Sequence, residues 1–502
     1  MLNKLDNLLN NITMYKLLLW GLRILAAIGL AFSLFGVIHL SFWGLAWSLV
    51  ALLISCYCTN VLFSRVWNVP ANTESYVLSA LILFLILPPV TSWERAGLVF
   101  LAGVVAIASK FLVNFRGKHI FNPAAFAASL FGLLGLMGTT WWVGNSAMWP
   151  FVLVLGLLVV RKVRRYSMFL TFAAASLVTT GLMAYAQIRP VSSALSLAIT
   201  SGPLLFLGGI MLTEPATMPN RQLHQVIYGG LVGLLFAAAP TLGPLIIYPE
   251  VALLIGNLYA YIVNPRYRLH LTLERVEHVS DRVASYVFRP NMKPAFAPGQ
   301  YMEWTMDMDH HDSRGNRRTF SVASSPTEDT VRIGVKFYEP SSRFKQVLRT
   351  LKPGDKIYAG QLAGDFTLPS DQAEKLVFIA GGIGITPFRS MLKYLVDKGE
   401  KRDVTVIYSV SDPSEVAYAD VLKAAHDKLG IRVIPLLSTD KPPKGWKGKA
   451  GRVTPEFIAE HVTDHKERTF YVSGPESMVQ AIEGTLKKLG VGGIRTDHFS
   501  GY

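Results

Sequence analysis

Cysteine is nearly absent from this 502-residue chain: Cys56 and Cys58 are the only two, and both sit in one apolar stretch. A disulfide scaffold, a four-cysteine zinc site and a Cys-ligated iron–sulfur module are thereby excluded within one chain. Charge is scarce too, and unevenly spread. Residues 1–263 hold 14 Lys/Arg and 5 Asp/Glu, whereas residues 264–502 hold 35 and 29. With 51% hydrophobic and only 17% charged residues, the whole is unlike an ordinary soluble globular chain. Because so much of the net charge of +15 lies among apolar runs, it does not indicate nucleic acid as a partner. Basic residues in that setting mark the inner face of a membrane.

Apolar runs cover about 15–40, 42–63, 76–92, 95–114, 121–141, 148–160, 166–188, 199–213, 224–240 and 244–263. A helix needs roughly 20 residues to cross a hydrocarbon core, so about ten spans are expected, with 148–160 and 199–213 the shortest. Threading them alternately from a cytoplasmic N-terminus places Lys4, Lys16, Arg65, Lys110, Arg116, Lys118, Arg161, Lys162, Arg164, Arg165 and Arg221 inside. Only Arg95 and Arg189 then lie outside. The expected location is a multi-pass inner (cell) membrane protein in contact with lipid, with both the N-terminus and the C-terminal half cytoplasmic. The first run is too long for a cleavable signal.

Two polar interruptions stand out, Phe121-Asn122-Pro123-Ala124-Ala125-Phe126 and Thr213-Glu214-Pro215-Ala216-Thr217-Met218-Pro219. Pro, Asn and an acid at helix ends leave backbone groups that must meet protein or a polar ligand rather than lipid. Two cytoplasmic turns with a helix-start proline are the plain alternative. Haem competes as a membrane carrier, but His39, His119 and His224 all fall near segment ends without a helical pair and read as structural or interfacial. Cys56 and Cys58, two apart on a helix, do not face one way and read as inert thiols.

In this order and on this background, the two interruptions resemble the membrane flavoprotein components of the sodium-pumping NADH:quinone reductase and of the Rnf complex. The resemblance implies a second flavin, FMN or riboflavin, near Asn122 and Thr217. Glu214 stands where that family usually has Asp. The segment that carries covalent FMN there has no counterpart: Val191 to Ser201 offers only Ser192, Ser193, Ser196, Thr200 and Ser201 without the pattern. The flavin is therefore expected to be noncovalent.

From Arg268 onward, short alternating strands separated by Pro/Gly turns predict an antiparallel β-barrel over 264–370. Over 371–502, strands alternating with helices predict an α/β doubly wound domain. The expected fold is thus multidomain: a polytopic α-helical membrane domain over 1–263, then the barrel, then the α/β domain. In the barrel, Arg318-Thr319-Phe320-Ser321 combines a guanidinium able to grip a pyrophosphate with an aromatic ring on the same strand face and a hydroxyl beside it. Ser341-Ser342-Arg343-Phe344 opens a helix whose free N–H groups suit a second phosphate. In the α/β domain, Ala380-Gly381-Gly382-Ile383-Gly384-Ile385-Thr386-Pro387 follows an apolar strand and lets a dinucleotide approach the backbone. Val472-Ser473-Gly474-Pro475-Glu476-Ser477-Met478 ends another strand at a crevice, and the chain stops at the aromatic Tyr502.

Together these five stretches resemble the ferredoxin-NADP reductase superfamily over about 265–502. The resemblance implies FAD held by Arg318, Phe320, Ser321 and Ser342, with Tyr502 over the flavin. It implies a nicotinamide between Thr386 and Ser473, against Gly382, Gly384, Gly474, Pro475 and Met478. Ser321, Thr386 and Ser473 are the expected catalytic residues. Phe320 replaces the commoner Tyr and Ser473 the commoner Cys. Asp412 is placed for a ribose hydroxyl, which favours NADH, with NADPH as the alternative. His310 and His311 read as a solvated loop, and no metal site is expected. The fusion implies an NADH-dependent FAD oxidoreductase sending electrons into or across the membrane, through a second flavin, to an extracytoplasmic flavin or flavoprotein. An NADH:quinone reductase without transfer across the membrane and a flavin-coupled ion or solute transporter are the alternatives. The sequence does not specify an oligomer.

Overall fold

The computed structural model describes Leu9 and residues 12–67, 73–115, 118–242, 245–264, 269–308, 316–439 and 442–499. Lys4, His310, His311, Arg116 and Tyr502 lie outside the described residues. The chain divides into two compact units, Met1–Tyr267 and Arg268–Tyr502.

The first unit is helical. Its elements are α1 (Met14–Leu34), α2 (Phe42–Val66), α3 (Thr73–Ile86), α4 (Trp93–Leu112), α5 (Pro123–Leu133), α6 (Trp149–Val163), α7 (Tyr166–Ala186), α8 (Val191–Thr200), α9 (Leu204–Met211), α10 (Gln222–Ala238) and α11 (Pro249–Val263). Side-chain caps start several of them: Thr13 on α1, Ser41 on α2, Ser92 on α4 and Asn122 on α5 each accept a backbone N–H of the first turn.

Among the described residues, α1, α2, α4 and α7 are long and apolar enough to cross a membrane, and α8 with α9, bent by 53°, is a fifth candidate if counted as one span. That is fewer than the ten expected from apolar runs. Turn chemistry cuts the runs short. The run 76–92 stops being helical at Ile86, just before Pro88-Pro89, and 121–141 stops at Leu133, just before Gly135 at φ 66°. At 1.5 Å per residue, the 14 residues of α3 reach only about 21 Å. The run 199–213 straddles the bend at Gly202-Pro203, and its second part winds as a π-helix over Leu207–Met211.

The second unit holds two sheets. The first contains β1 (Leu269–Ser280), β2 (Val283–Pro290), β3 (Tyr301–Thr305), β4 (Arg317–Ser321), β5 (Val331–Lys336) and β6 (Lys356–Ala363), with α12 (Arg343–Thr350) inserted between the last two. Its strands run antiparallel in the order β4-β3-β6-β1-β2-β5. The second contains β7 (Leu376–Gly381), α13 (Ile385–Lys398), β8 (Val404–Val410), α14 (Ala419–Leu429), β9 (Arg432–Leu437), β10 (Lys449–Ala450), α15 (Pro455–His461), β11 (Thr469–Pro475), α16 (Glu476–Lys488) and β12 (Ile494–Phe499). All its strands are parallel, in the order β10-β9-β8-β7-β11-β12. The central strand β7 is buried at every residue, which explains its unbroken apolar run. Chain order reverses at β7, so a crevice opens at its carboxyl end, beside β11.

Candidate flavin and nucleotide site

Strand alternation puts Arg318 and Phe320 on one face of β4. Both meet Phe344 of α12: the Phe320 and Phe344 rings lie 5.9 Å apart, and the Arg318 guanidinium sits 5.3 Å over the Phe344 ring. A planar cation is thereby held beside two aromatic rings at the entrance to α12. Ser342 is the N-cap of α12, its hydroxyl accepting from the Lys345 N–H. Ser342 is thus the serine cap, and the helix N-terminus it stabilises carries the anion-attracting N–H groups.

At the carboxyl end of β7 the backbone is shaped by glycine. Gly382 has φ +53° with no atom near the position of a Cβ, so the turn presents open space. Gly384 is packed tightly, since a Cβ there would stand 2.4 Å from the Ser473 carbonyl oxygen. Gly474 faces Gly381, and Met478 lies against Gly381 from α16. Thr386 donates its hydroxyl to the Ile383 carbonyl within the first turn of α13. Pro475 ends β11 and leads into α16.

Three segments distant in sequence converge beside this turn. Ser321, at the end of β4, donates to an Asp497 carboxylate oxygen at 3.5 Å. Asp497 lies opposite Ser473 in the parallel register of β11 and β12. The Ser473 hydroxyl is fully buried and has no hydrogen-bond partner, which in a native site asks for an absent group. Burial pushes the Asp497 carboxyl up to about 6, the Ser321 hydroxyl opposing that shift. Asp497 is the residue that reading the motifs missed. Its only local signal is a lone acid in the short strand IRTDHF, a stretch that by its position reads as a terminus rather than as β12.

Asp412 caps a short helix. Its carboxylate accepts from both the backbone N–H and the hydroxyl of Ser414, capping the short helix Pro413–Glu415. Those two bonds hold its carboxyl below the usual range. Its neighbour Glu415, buried, accepts from Lys336 at 2.5 Å and from Ser411 at 2.9 Å. The cation at the end of β8 therefore comes from β5 of the other sheet, not from the local sequence.

In the first unit, the structure brings Asn122 and Thr217 together. Both donate to one oxygen of Glu214, Asn122 at 2.8 Å and Thr217 at 3.1 Å. Asn257 on α11, not singled out from sequence, ties the two interruptions: it accepts from the Asn122 N–H and donates to the Thr217 carbonyl and the Tyr228 hydroxyl. Asn264, seven residues on, holds Met218 and Asn220 in the same way. His224 is hydrogen-bonded to the Tyr259 hydroxyl, Cys56 is buried and Cys58 is exposed.

The site's residues fit a dinucleotide and a flavin, through the orphaned Ser473 hydroxyl and the open turn at Gly382. Comparison with known proteins agrees for this half. Residues 378–484 match the family described as oxidoreductase NAD-binding domain. The chain is similar to the reductase subunit of stachydrine N-demethylase from Rhizobium meliloti, 30% identical over 175 residues, 34% of this chain and 50% of that protein. It is also similar to a flavohemoprotein of Rhodopirellula baltica, 31% identical over 228 residues, 42% of this chain and 55% of the relative. Among solved structures, the FAD/NAD-binding domain of a nitric oxide dioxygenase from Vibrio cholerae aligns over 46% of this chain and 98% of that one, at 22% identity and TM-score 0.41. The chain spans about half the length of these two curated relatives. Its C-terminal half thus holds an NAD-binding domain of the oxidoreductase type.

Proposed function

We propose that the chain is a membrane-embedded, NADH-dependent flavin oxidoreductase that takes electrons from NADH in its C-terminal half and delivers them to its helical half. The observation that carries this reading is the convergence of Ser321, Ser473 and Asp497 beside the glycine turn. In it, Arg318, its guanidinium fixed against Phe344, would hold the pyrophosphate of FAD, and Phe320 would cover the cofactor's chain. Gly382 and the N-terminus of α13 receive the nucleotide phosphates, while Gly384 keeps the turn close to Ser473. When bound, FAD supplies the two-electron to one-electron conversion that nicotinamide lacks. Ser473 and Thr386 orient the nicotinamide edge with their hydroxyls. Asp497, its carboxyl pushed up to about 6 by burial and bonded to Ser321, would hold a proton at the end of β4.

The helical half receives the electrons through a second, noncovalent flavin beside Asn122 and Thr217. The two side chains meet at Glu214, which supports a polar site rather than two separate turns. A hydrocarbon core of about 30 Å is too thick for direct electron transfer, so a carrier inside it is required. Four long apolar helices support placement in the membrane. The purified full chain should contain two flavins, both reduced by NADH; one FAD and no other flavin sinks the second-carrier reading. Arg318→Ala should remove FAD, and unchanged NADH oxidation by that variant sinks the assignment of β4.

A further inference from the structure

The helical unit contains a cavity lined by Tyr15, Ser75, Ser79, Lys110, Asn122 and Glu214, together with apolar side chains of α1, α3 and α9. Lys110 and Glu214 enter it from different elements and make no ion pair with each other. The Lys110 ammonium donates to the Ser75 carbonyl at 3.0 Å, the Ser75 hydroxyl at 2.8 Å and the Ser79 hydroxyl at 2.9 Å. One Glu214 oxygen takes the bonds from Asn122 and Thr217, and the other faces the His119 imidazole at 4.0 Å. The His119 and Glu214 side chains are 26% and 21% exposed, and Asn122 is buried. A carboxyl group thus stands between the partly exposed His119 imidazole, whose facing Nε2 is itself buried, and a cavity that also holds a cation. In a membrane unit an ionisable group in such a position marks a site of use.

We propose that Glu214, with His119 beside it, is the proton entry of this cavity, supplying protons to a carrier reduced in the helical half. The proposal rests on the reading that electrons reach the helical half. It names the acceptor's class: a flavin or quinone whose reduction consumes protons, not a one-electron metal centre. The balance is NADH + H+ + carrier → NAD+ + carrier-H2. NADH provides two electrons and one proton, the proton being released in the reductase half as the electrons leave. The reduced carrier gains two electrons and two protons, and each proton forms an O–H bond on Glu214 that breaks as the proton passes inward. Lys110, held by the two serines, offsets the negative charge that arrives ahead of the proton. The titratable groups facing this path are Tyr15 from α1, Lys110 from α4 with Cys56 of α2 near it, His119, and Tyr228 of α10.

The test uses the full chain in lipid nanodiscs. Reduction of added menadione by NADH is followed from pH 6 to 9, and reduction of the resident chromophores is followed without menadione. NADH:ferricyanide activity reports the reductase half separately. Glu214→Gln should slow proton-coupled reduction at high pH by about tenfold or more and leave the ferricyanide rate unchanged. It should also abolish a carboxyl band in the redox-induced infrared difference spectrum. His119→Gln should shift the same pH profile with a smaller loss. An effect confined to menadione assigns the protons to a quinone; an effect on the resident chromophore assigns them to a flavin. If Glu214→Gln keeps both the wild-type pH profile and the carboxyl band, the proton entry is wrong while the electron path stands. If the wild-type chain reduces neither menadione nor a second chromophore, the electron path fails and the proton entry with it.

Discussion

At Gly384 there is no room for a methyl group, because the clashing partner is the Ser473 backbone rather than a movable side chain. Gly384→Ala should therefore displace the turn from β11, lowering the thermal midpoint of the reductase half and weakening NADH binding by about tenfold or more, read by titration and by a melting curve. Gly382 is the opposite case: space is open but φ is +53°, so Gly382→Ala costs about 1 kcal/mol of backbone strain with little steric conflict. Asp497 carries a prediction about pH. Its folded carboxyl titrates near 6, above the ordinary value of about 3.9. The folded state therefore binds the proton more tightly than the unfolded chain, so the stability it contributes is present below about pH 4 and lost as pH rises through about 6. Asp497→Asn should flatten that part of the stability curve and remove an inflection near pH 6 from NADH-driven flavin reduction in stopped flow. An inflection that survives the substitution would assign it to another group. This residue is illegible in the sequence because its partner Ser321 is 176 positions away.

Among elements, α11 does the most to organise the helical unit. Glu250, Asn257 and Asn264 recur every seven residues, so they share one face about 10 Å apart. Glu250 accepts from Thr139 and Trp141, Asn257 ties the two polar interruptions, and Asn264 holds Met218 and Asn220. Asn257→Ala leaves the buried Asn122 N–H and Thr217 carbonyl unsatisfied, at a cost of about 1–3 kcal/mol for each group. The expected result is a lower melting temperature of the full chain and loss of the second flavin, with FAD retained. Simultaneous loss of both flavins would show that the seam supports overall folding instead. The caps of α1, α2, α4 and α5 are readable as Ser, Thr or Asn before an apolar run. The bend between α8 and α9 is marked by Gly202-Pro203 although the apolar run passes through it without a change of hydropathy. At the crossing of α9 and α6, a Cβ on Gly209 would stand 2.7 Å from the Gly156 Cα, so two glycines let these helices touch.

Across the whole molecule, the two units carry different physics. One holds few charges, Glu250 being buried among them, and the other holds many, most of them at its surface, with Arg332, Lys345, Arg389 and Glu415 buried. Flavin content, with two per chain reducible by NADH, is the measurement that joins them, and quantitative extraction of flavin from the purified chain checks it. The sequence by itself determined the change of character at residue 264, the antiparallel and parallel strand patterns, the glycine turn after β7 and the likeness in kind of the two polar interruptions. These depend on period, composition and turn chemistry, which are properties of neighbouring residues. Only the tertiary structure decided that Asn122 and Thr217 share one carboxylate, 92 positions from Asn122, and that Asp497 meets Ser321 and Ser473. Which strand lies beside which, and which buried polar group finds which partner, follow from packing over long separations, and no local pattern encodes them.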